Sequence, residues 1–200
     1  ARYYLDNILL LRNTMLANGL MRCFTHCMNL LGFDGNFHQD YTCPTKENAK
    51  QIFDAIAQNR EFLTKWLEHF VSIKSPDDVT AYLTKRQEQL NDNKGVCFHI
   101  FCNDDVIGRI WLFRVKDNTC EIGYWLIESV NGHGYMTEAL RALEGELFKF
   151  GFDKIMLELG SGNTRSENLA IRNGYKLEKR LPMKAWAKCV GKCDSLIYVK

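Results

Sequence analysis

The chain has 200 residues, 46% of them hydrophobic and 25% charged, with only 3 prolines, which fits one ordinary globular domain and excludes a disordered or fibrous chain. Its formal net charge of +2 is spread over interleaved residues of both signs, without the Lys/Arg stripe that a nucleic-acid polymer requires. No apolar run approaches the roughly 20 residues that span a bilayer, and no basic segment followed by an apolar core opens the chain, so a cytoplasmic protein that avoids membranes is expected.

Residues 1–35 read as an appended segment, in which Leu5, Ile8, Leu9, Leu10 and Leu16 precede an apolar stretch from Cys23 to Phe33 punctuated by Gly32 and Gly35. Its apolar side chains need a surface to cover, so it is either a docked helix or the linker from an upstream fused domain. The main domain is assigned to 36–200. An extended piece from Phe37 to Cys43 ends at Pro44, and Thr45, Asn48, Ile52, Phe53, Ile56 and Ala57 then predict a helix over 45–58.

Phe62, Leu63, Trp66, Leu67 and Phe70 continue at 3.6-residue spacing and predict a second helix. Ser75-Pro76-Asp77-Asp78 supplies the cap, first-turn proline and acidic first turn of a third. Val96–Cys102 and 106–115 read as a hairpin closed by Asn103-Asp104-Asp105, and a third strand runs from Cys120 to Ile127. Met136, Leu140, Leu143 and Leu147 mark one face of the next helix, which Gly151 ends. Lys154–Leu159 reads as a buried strand, 166–173 as a short helix closed by Gly174, and 195–199 as a final strand.

Eight cysteines are too few to staple a chain that can bury its own core, so reduced thiols are expected. Cys23 and Cys27 bracket His26, and Cys189 and Cys193 repeat that spacing, but neither pair is Cys-x-x-Cys and no ligand-rich segment accompanies them. No metal site is expected.

The chemistry concentrates at Asn131-Gly132-His133-Gly134, between an apolar strand and an amphipathic helix. A strand, a glycine turn and a helix N-terminus expose backbone N–H groups where the helix dipole attracts phosphate. Gly132 and Gly134 leave the backbone uncovered, and the Thr137 hydroxyl stands nearby. Glycines also serve ordinary turns. The loop lacks the Gly-Lys-Ser/Thr ending of a nucleotide P-loop and the third glycine of a dinucleotide fingerprint, so it calls for another phosphate-bearing ligand.

The run Glu121-Ile122-Gly123-Tyr124-Trp125-Leu126, followed by Asn131-Gly132-His133-Gly134-Tyr135-Met136-Thr137-Glu138-Ala139-Leu140, resembles the GNAT acetyltransferases of the RimJ/RimL type. The block from Asn163 through Ser166 and Asn168 to Gly174-Tyr175 is similar to that family's Asn-x-x-Ser segment and Gly-aromatic pair. The likeness covers residues 36–200. It departs at Asn131, where the family usually has Gln or Arg, and at Met136, often Gly or Ala. Backbone binding is kept and a side-chain contact is put in question.

The resemblance implies an α/β (α+β) fold, the GNAT acyl-CoA N-acyltransferase fold, with a mixed, mostly antiparallel sheet flanked by helices and splayed between its fourth and fifth strands. Acetyl-coenzyme A would be the co-substrate, with pantetheine paired like an added strand against Tyr124, Trp125 and Leu126. Residues 131–137, namely Asn131, Gly132, His133, Gly134, Tyr135, Met136 and Thr137, together with Asn163, Ser166 and Asn168, would complete the cofactor site.

Direct attack of an amine on a thioester needs a neutral nitrogen, a stabilised carbonyl oxygen and help for the departing thiolate. Ser166, at the family's serine position, is either a contact to the sulfur or a helix cap. Glu121 is either a proton acceptor, directly or through water, or a solvated strand-edge carboxylate. Tyr124 is a candidate general acid and His133 a candidate phosphate contact. Some RimL-like enzymes carry a C-terminal glutamate as proposed base, but Pro182-Met183-Lys184-Ala185-Trp186 contains no acid. An α-amine of pKa about 8 needs less help than a lysine amine of about 10.4, so a primary α-amine is the expected acceptor. Trp66, Phe53 and Trp111 are candidates to stack on it, or else core residues.

Two acceptor classes follow, a small molecule or a peptide. An aminoacyl-nucleotide toxin, as in microcin C-type self-immunity and antibiotic resistance, is given slightly more weight than the N-terminus of a ribosomal protein. A non-catalytic coenzyme A-binding module is the alternative of a different class.

Overall fold

The computed structural model describes residues 46–91, 96–102 and 105–200. The appended segment, the extended piece at Phe37–Cys43 and the turn residues Asn103 and Asp104 lie outside the described residues. So do Cys23, His26 and Cys27.

Helix α1 (Lys46–Gln58) turns Ala49, Ile52, Ala55 and Ile56 inward, the spacing of one helical face. Helix α3 (Pro76–Asn91) starts with a reciprocal cap. The Asp78 N–H donates to Ser75 Oγ at 3.2 Å, while the Asp78 carboxylate accepts from the Ser75 hydroxyl at 3.0 Å and the Lys74 N–H at 2.8 Å.

Between them the expected continuous helix is broken. Helix α2 spans only Arg60–Leu63, and a 3₁₀ turn follows at Glu68–Ser72. In an unbroken helix Phe70 would stand about 15 Å along the axis from Arg60. Instead the chain folds back, and the Arg60 guanidinium donates to the carbonyls of Phe70 at 2.6 Å and Ile73 at 2.5 Å.

Six strands, β1 (Val96–Cys102), β2 (Asp105–Lys116), β3 (Thr119–Leu126), β4 (Lys154–Gly160), β5 (Lys176–Ala187) and β6 (Gly191–Val199), form one sheet in the order β1-β2-β3-β4-β6-β5. Neighbours are antiparallel except β3 and β4. Helix α4 (Tyr135–Lys149) connects that parallel pair, and α5 (Thr164–Arg172) follows β4. Gly151 and Gly174, at φ +84° and +85°, end the two helices in the left-handed conformation expected of them.

Strand β5 has no counterpart in the sequence reading, which also started β6 four residues late. It is an edge strand with almost every side chain exposed, and Pro182 falls where its register slips between Leu181 and Ala185. An edge wet on both faces shows no alternation to read.

The sheet has a core on each face. Ile110, Leu112, Ile122, Ile155 and Leu157 pack with Leu140, Leu143 and Leu147 of α4. On the other face Phe101, Val106 and Trp125 pack with Ile52, Ile56, Phe70 and Val79. No described helix is long and apolar enough to cross a membrane.

Candidate active site

The parallel ladder between β3 and β4 has only three pairs, Thr119 with Lys154, Cys120 with Ile155 and Glu121 with Met156. Beyond them β3 stays paired with β2 through Leu126, while β4 turns to β6. The resemblance implies a splay between the fourth and fifth strands; among the described residues the strands part between the third and fourth, β3 and β4. This parting frees one edge of Tyr124–Leu126 over a cleft of about 710 Å³.

One wall is the glycine loop. Gly132 and Gly134 have φ of +88° and +92°, backbone that L side chains rarely adopt. A Cβ added at Gly132 would meet nothing within 4 Å, and at Gly134 only Glu138 Oε1 at 3.9 Å, so both peptides are open to a ligand. The first α4 hydrogen bond runs from the Glu138 N–H to the Gly134 carbonyl. The backbone N–H groups of the first turn precede that bond, and such a helix N-terminus suits an anion. Asn131 Nδ2 donates to the Ile127 and Glu128 carbonyls at 2.8 and 3.2 Å. Its amide braces the loop, which leaves the backbone N–H groups as what the loop offers an anion.

The opposite wall is α5. Asn163 is its cap, accepting the Ser166 N–H at 3.4 Å, which frees the Ser166 hydroxyl from the capping role weighed for it. Tyr124, Ser166 and Asn168 all line the cleft. The Tyr124 hydroxyl is buried and has no hydrogen-bond partner among the described residues. Burial pushes its pKa up to about 12 against the opposing influence of Ser166 and Arg172, so it stays protonated as a donor.

The structure brings together Tyr124, Trp125, Leu126, Asn131, Gly132, Gly134, Tyr135, Met136, Thr137, Asn163, Ser166, Asn168 and, from the α2 side, Trp66. Four other candidates are not among the residues that line this cleft. His133 is exposed, and Phe53, partly buried, packs against the helix-side core that Ile52 and Ile56 of the same helix enter. Trp111 lies across Gly123, where an added Cβ would stand 2.4 Å from Cζ2. Glu121 is 7% exposed and paired with Arg114 at 2.7 Å on the opposite side of β3 from Tyr124.

Three cations that line the cleft, Lys65, Arg165 and Arg172, escaped the sequence reading although two lie inside the quoted Asn163-to-Tyr175 block. The Arg165 guanidinium stacks 5.0 Å over Phe62, joining α5 to α2. An anionic ligand lying along β3 meets these charges and the α4 N-terminus together.

An acetyltransferase (GNAT) domain profile matches residues 42–176. The chain belongs to the GNAT acetyltransferase family. It is 30% identical over 141 residues to the ribosomal-protein-serine acetyltransferase of Escherichia coli (strain K12), covering 66% of this chain and 76% of that one. To the probable N-acetyltransferase YjcK of Bacillus subtilis (strain 168) it is 35% identical over 104 residues, 47% of this chain and 55% of that one.

Among solved GNAT structures, RimL, a ribosomal L7/L12 alpha-N-protein acetyltransferase in complex with coenzyme A, superposes with a TM-score of 0.75 at 18% identity, covering 84% of this chain and 93% of that chain. The microcin C7 self-immunity acetyltransferase MccE, in complex with acetyl-CoA and AMP, gives 0.73 at 22% identity, with 84% and 92% covered. The protein is a GNAT acetyltransferase that uses acetyl-CoA. The free edge of β3, the open glycine peptides and the cations fit that donor.

Proposed function

We propose that the protein transfers acetyl from acetyl-CoA to a primary α-amine by direct attack, and that the buried Tyr124 hydroxyl beside Ser166, which makes no hydrogen bond of ordinary length among the described residues, carries the reading. In this scheme the amine nitrogen bonds to the thioester carbonyl carbon and the carbon–sulfur bond breaks. Tyr124, protonated throughout the physiological range, supplies a proton to the departing sulfur, and Ser166 orients it. Glu121, at the last β3–β4 pair, accepts the proton lost by nitrogen through water. Burial raises its carboxyl above the usual range, which makes it a better acceptor than an exposed glutamate.

For the acceptor, the N-terminal α-amine of a ribosomal protein is favoured by the 30% identity to the Escherichia coli ribosomal-protein-serine enzyme. An aminoacyl-nucleotide toxin, the self-immunity reading, is supported by Trp66, a flat ring on the cleft wall, and by the likeness to MccE. A cytoplasmic location and a transferase domain over 36–200 belong to the same reading. Mass spectrometry of products from acetyl-CoA with free and N-blocked peptides, lysine ε-amines and an aminoacyl sulfamoyl adenosine tests it. Product on free α-amines is expected, and transfer confined to lysine ε-amines would overturn it.

A further inference from the structure

The two strands that part to form the cleft carry the same short pattern, Glu121-Ile122-Gly123 on β3 and Glu158-Leu159-Gly160 on β4. Each glycine seats an indole. Trp111 covers Gly123, and Trp66 covers Gly160, where an added Cβ would stand 3.1 Å from Cζ3. The parallel pairing ends at Glu121 with Met156, so Glu121 and Glu158 flank the point at which the strands separate.

One guanidinium joins them. Arg114 Nη1 donates to Glu121 Oε2 at 2.7 Å and to Glu158 Oε2 at 2.8 Å. Arg114 leaves the regular pleat of β2, at φ +49° where the register with β3 shifts between Phe113 and Lys116. From β6, the Ser195 hydroxyl donates to Glu158 Oε1 at 2.6 Å. Four strands thus contribute one side chain each to a polar cluster at the fork.

The two carboxylates are unequal. The Glu121 side chain is 9% exposed and Glu158 26%, and only Glu158 has a hydroxyl donor in addition to the shared guanidinium. Burial raises Glu158, but Ser195 and Arg114 bring it below the ordinary range. Burial and the charge of Glu158 raise Glu121, while Arg114 and Lys184 oppose them. The charged groups acting on Glu121 are therefore Arg114 from β2, Glu158 from β4 and Lys184 from β5. Its neighbour Cys120 is held protonated by burial, with a pKa of about 12.

We propose that Arg114 and Glu158 are positioning residues that, by sharing one guanidinium across the fork, set how tightly Glu121 holds the proton it takes in acetyl transfer. This rests on the assignment of Glu121 as proton acceptor. The arrangement makes opposite demands of its two partners. Without the guanidinium, Glu121 faces a like charge alone. Without the charge on Glu158, Glu121 has the guanidinium to itself.

The experiment is a carbon-13 NMR titration of the Glu121 carboxyl in the free protein, its resonance identified by loss in Glu121→Gln, alongside the pH dependence of kcat/KM. Arg114→Gln is expected to move both the NMR midpoint and the acid limb of the rate profile up, and Glu158→Gln to move both down, each by roughly one pH unit. Circular dichroism and thermal unfolding confirm that each variant is folded. NMR midpoints that stay fixed, or move the same way in both variants, overturn the proposal. Midpoints that move oppositely while the acid limb stays fixed uphold the clamp and instead remove Glu121 from proton transfer.

Discussion

The indole of Trp111 lies flat enough over the backbone of Gly123 that a Cβ there would come within 2.4 Å of Cζ2 and 2.5 Å of Cε2. Gly123→Ala is therefore expected to force the ring off β3 and destabilise the fold by roughly 1–3 kcal/mol, the usual cost of overpacking. Urea denaturation measures this. Trp111→Leu in the same chain should recover part of the loss, because the two changes share one contact. Additive losses would show that the clash is relieved elsewhere.

Tyr124→Phe separates chemistry from stability. Among the described residues the hydroxyl makes no hydrogen bond of ordinary length, and only the influence of Ser166 reaches it, so its removal breaks little and the melting temperature should stay within a degree or two of the parent. If the hydroxyl protonates the sulfur, kcat should fall on the order of 100-fold with the KM for acetyl-CoA little changed. Steady-state kinetics decide, and an unchanged kcat would remove Tyr124 from the mechanism.

Gly134→Trp tests the donor site. The position combines φ of +92° with open space on the cleft side, so a large side chain both strains the turn and fills the phosphate cradle. Calorimetric titration with coenzyme A should show affinity reduced at least about tenfold, roughly 1.4 kcal/mol, while circular dichroism is unchanged. Retained affinity would place the pyrophosphate elsewhere.

Much of the site is legible in the sequence because its determinants are local. A glycine pair between an apolar strand and an amphipathic helix defines the loop, and Asn163 caps a helix by the ordinary rule. Face and distance are not local. Phe53 and Trp111 read as aromatic platforms, yet α1 packs one, partly buried, against the core and Gly123 lets the other lie down over the strand. The break after Leu63 is invisible for a similar reason, since apolar spacing from Phe62 to Phe70 satisfies a helix and only the Arg60 bonds to the Phe70 and Ile73 carbonyls undo it. Edge strand β5 shows no alternation because neither of its faces is buried.

His99 predicts an acid-sensitive fold. It is 5% exposed on β1, and its Nε2 has no hydrogen-bond partner among the described residues. Burial, aided by the charge of Arg109, lowers its pKa from 6.5 to about 3. Between those values the unfolded chain binds a proton that the folded chain refuses, so this residue's contribution to stability is complete above pH 6.5 and declines as pH falls toward 3. The slope from this group approaches about 1.4 kcal/mol per pH unit. Urea unfolding from pH 7 to 4 should show a shallower decline for His99→Leu than for the parent, and parallel curves would mean that His99 carries its proton in the fold.

The three-pair ladder between β3 and β4 also bears on mechanics. Two half-sheets, β1-β2-β3 and β4-β6-β5, meet along a seam one strand-turn long, so tension across the sheet passes through a short zipper and the packing of α4. A donor molecule paired to the free edge of β3 would supply rungs that the polypeptide omits and lengthen the seam. Its binding should therefore slow amide exchange in β4 and β6 as well as at the residues it touches, making the donor a structural member of the sheet for as long as it is held.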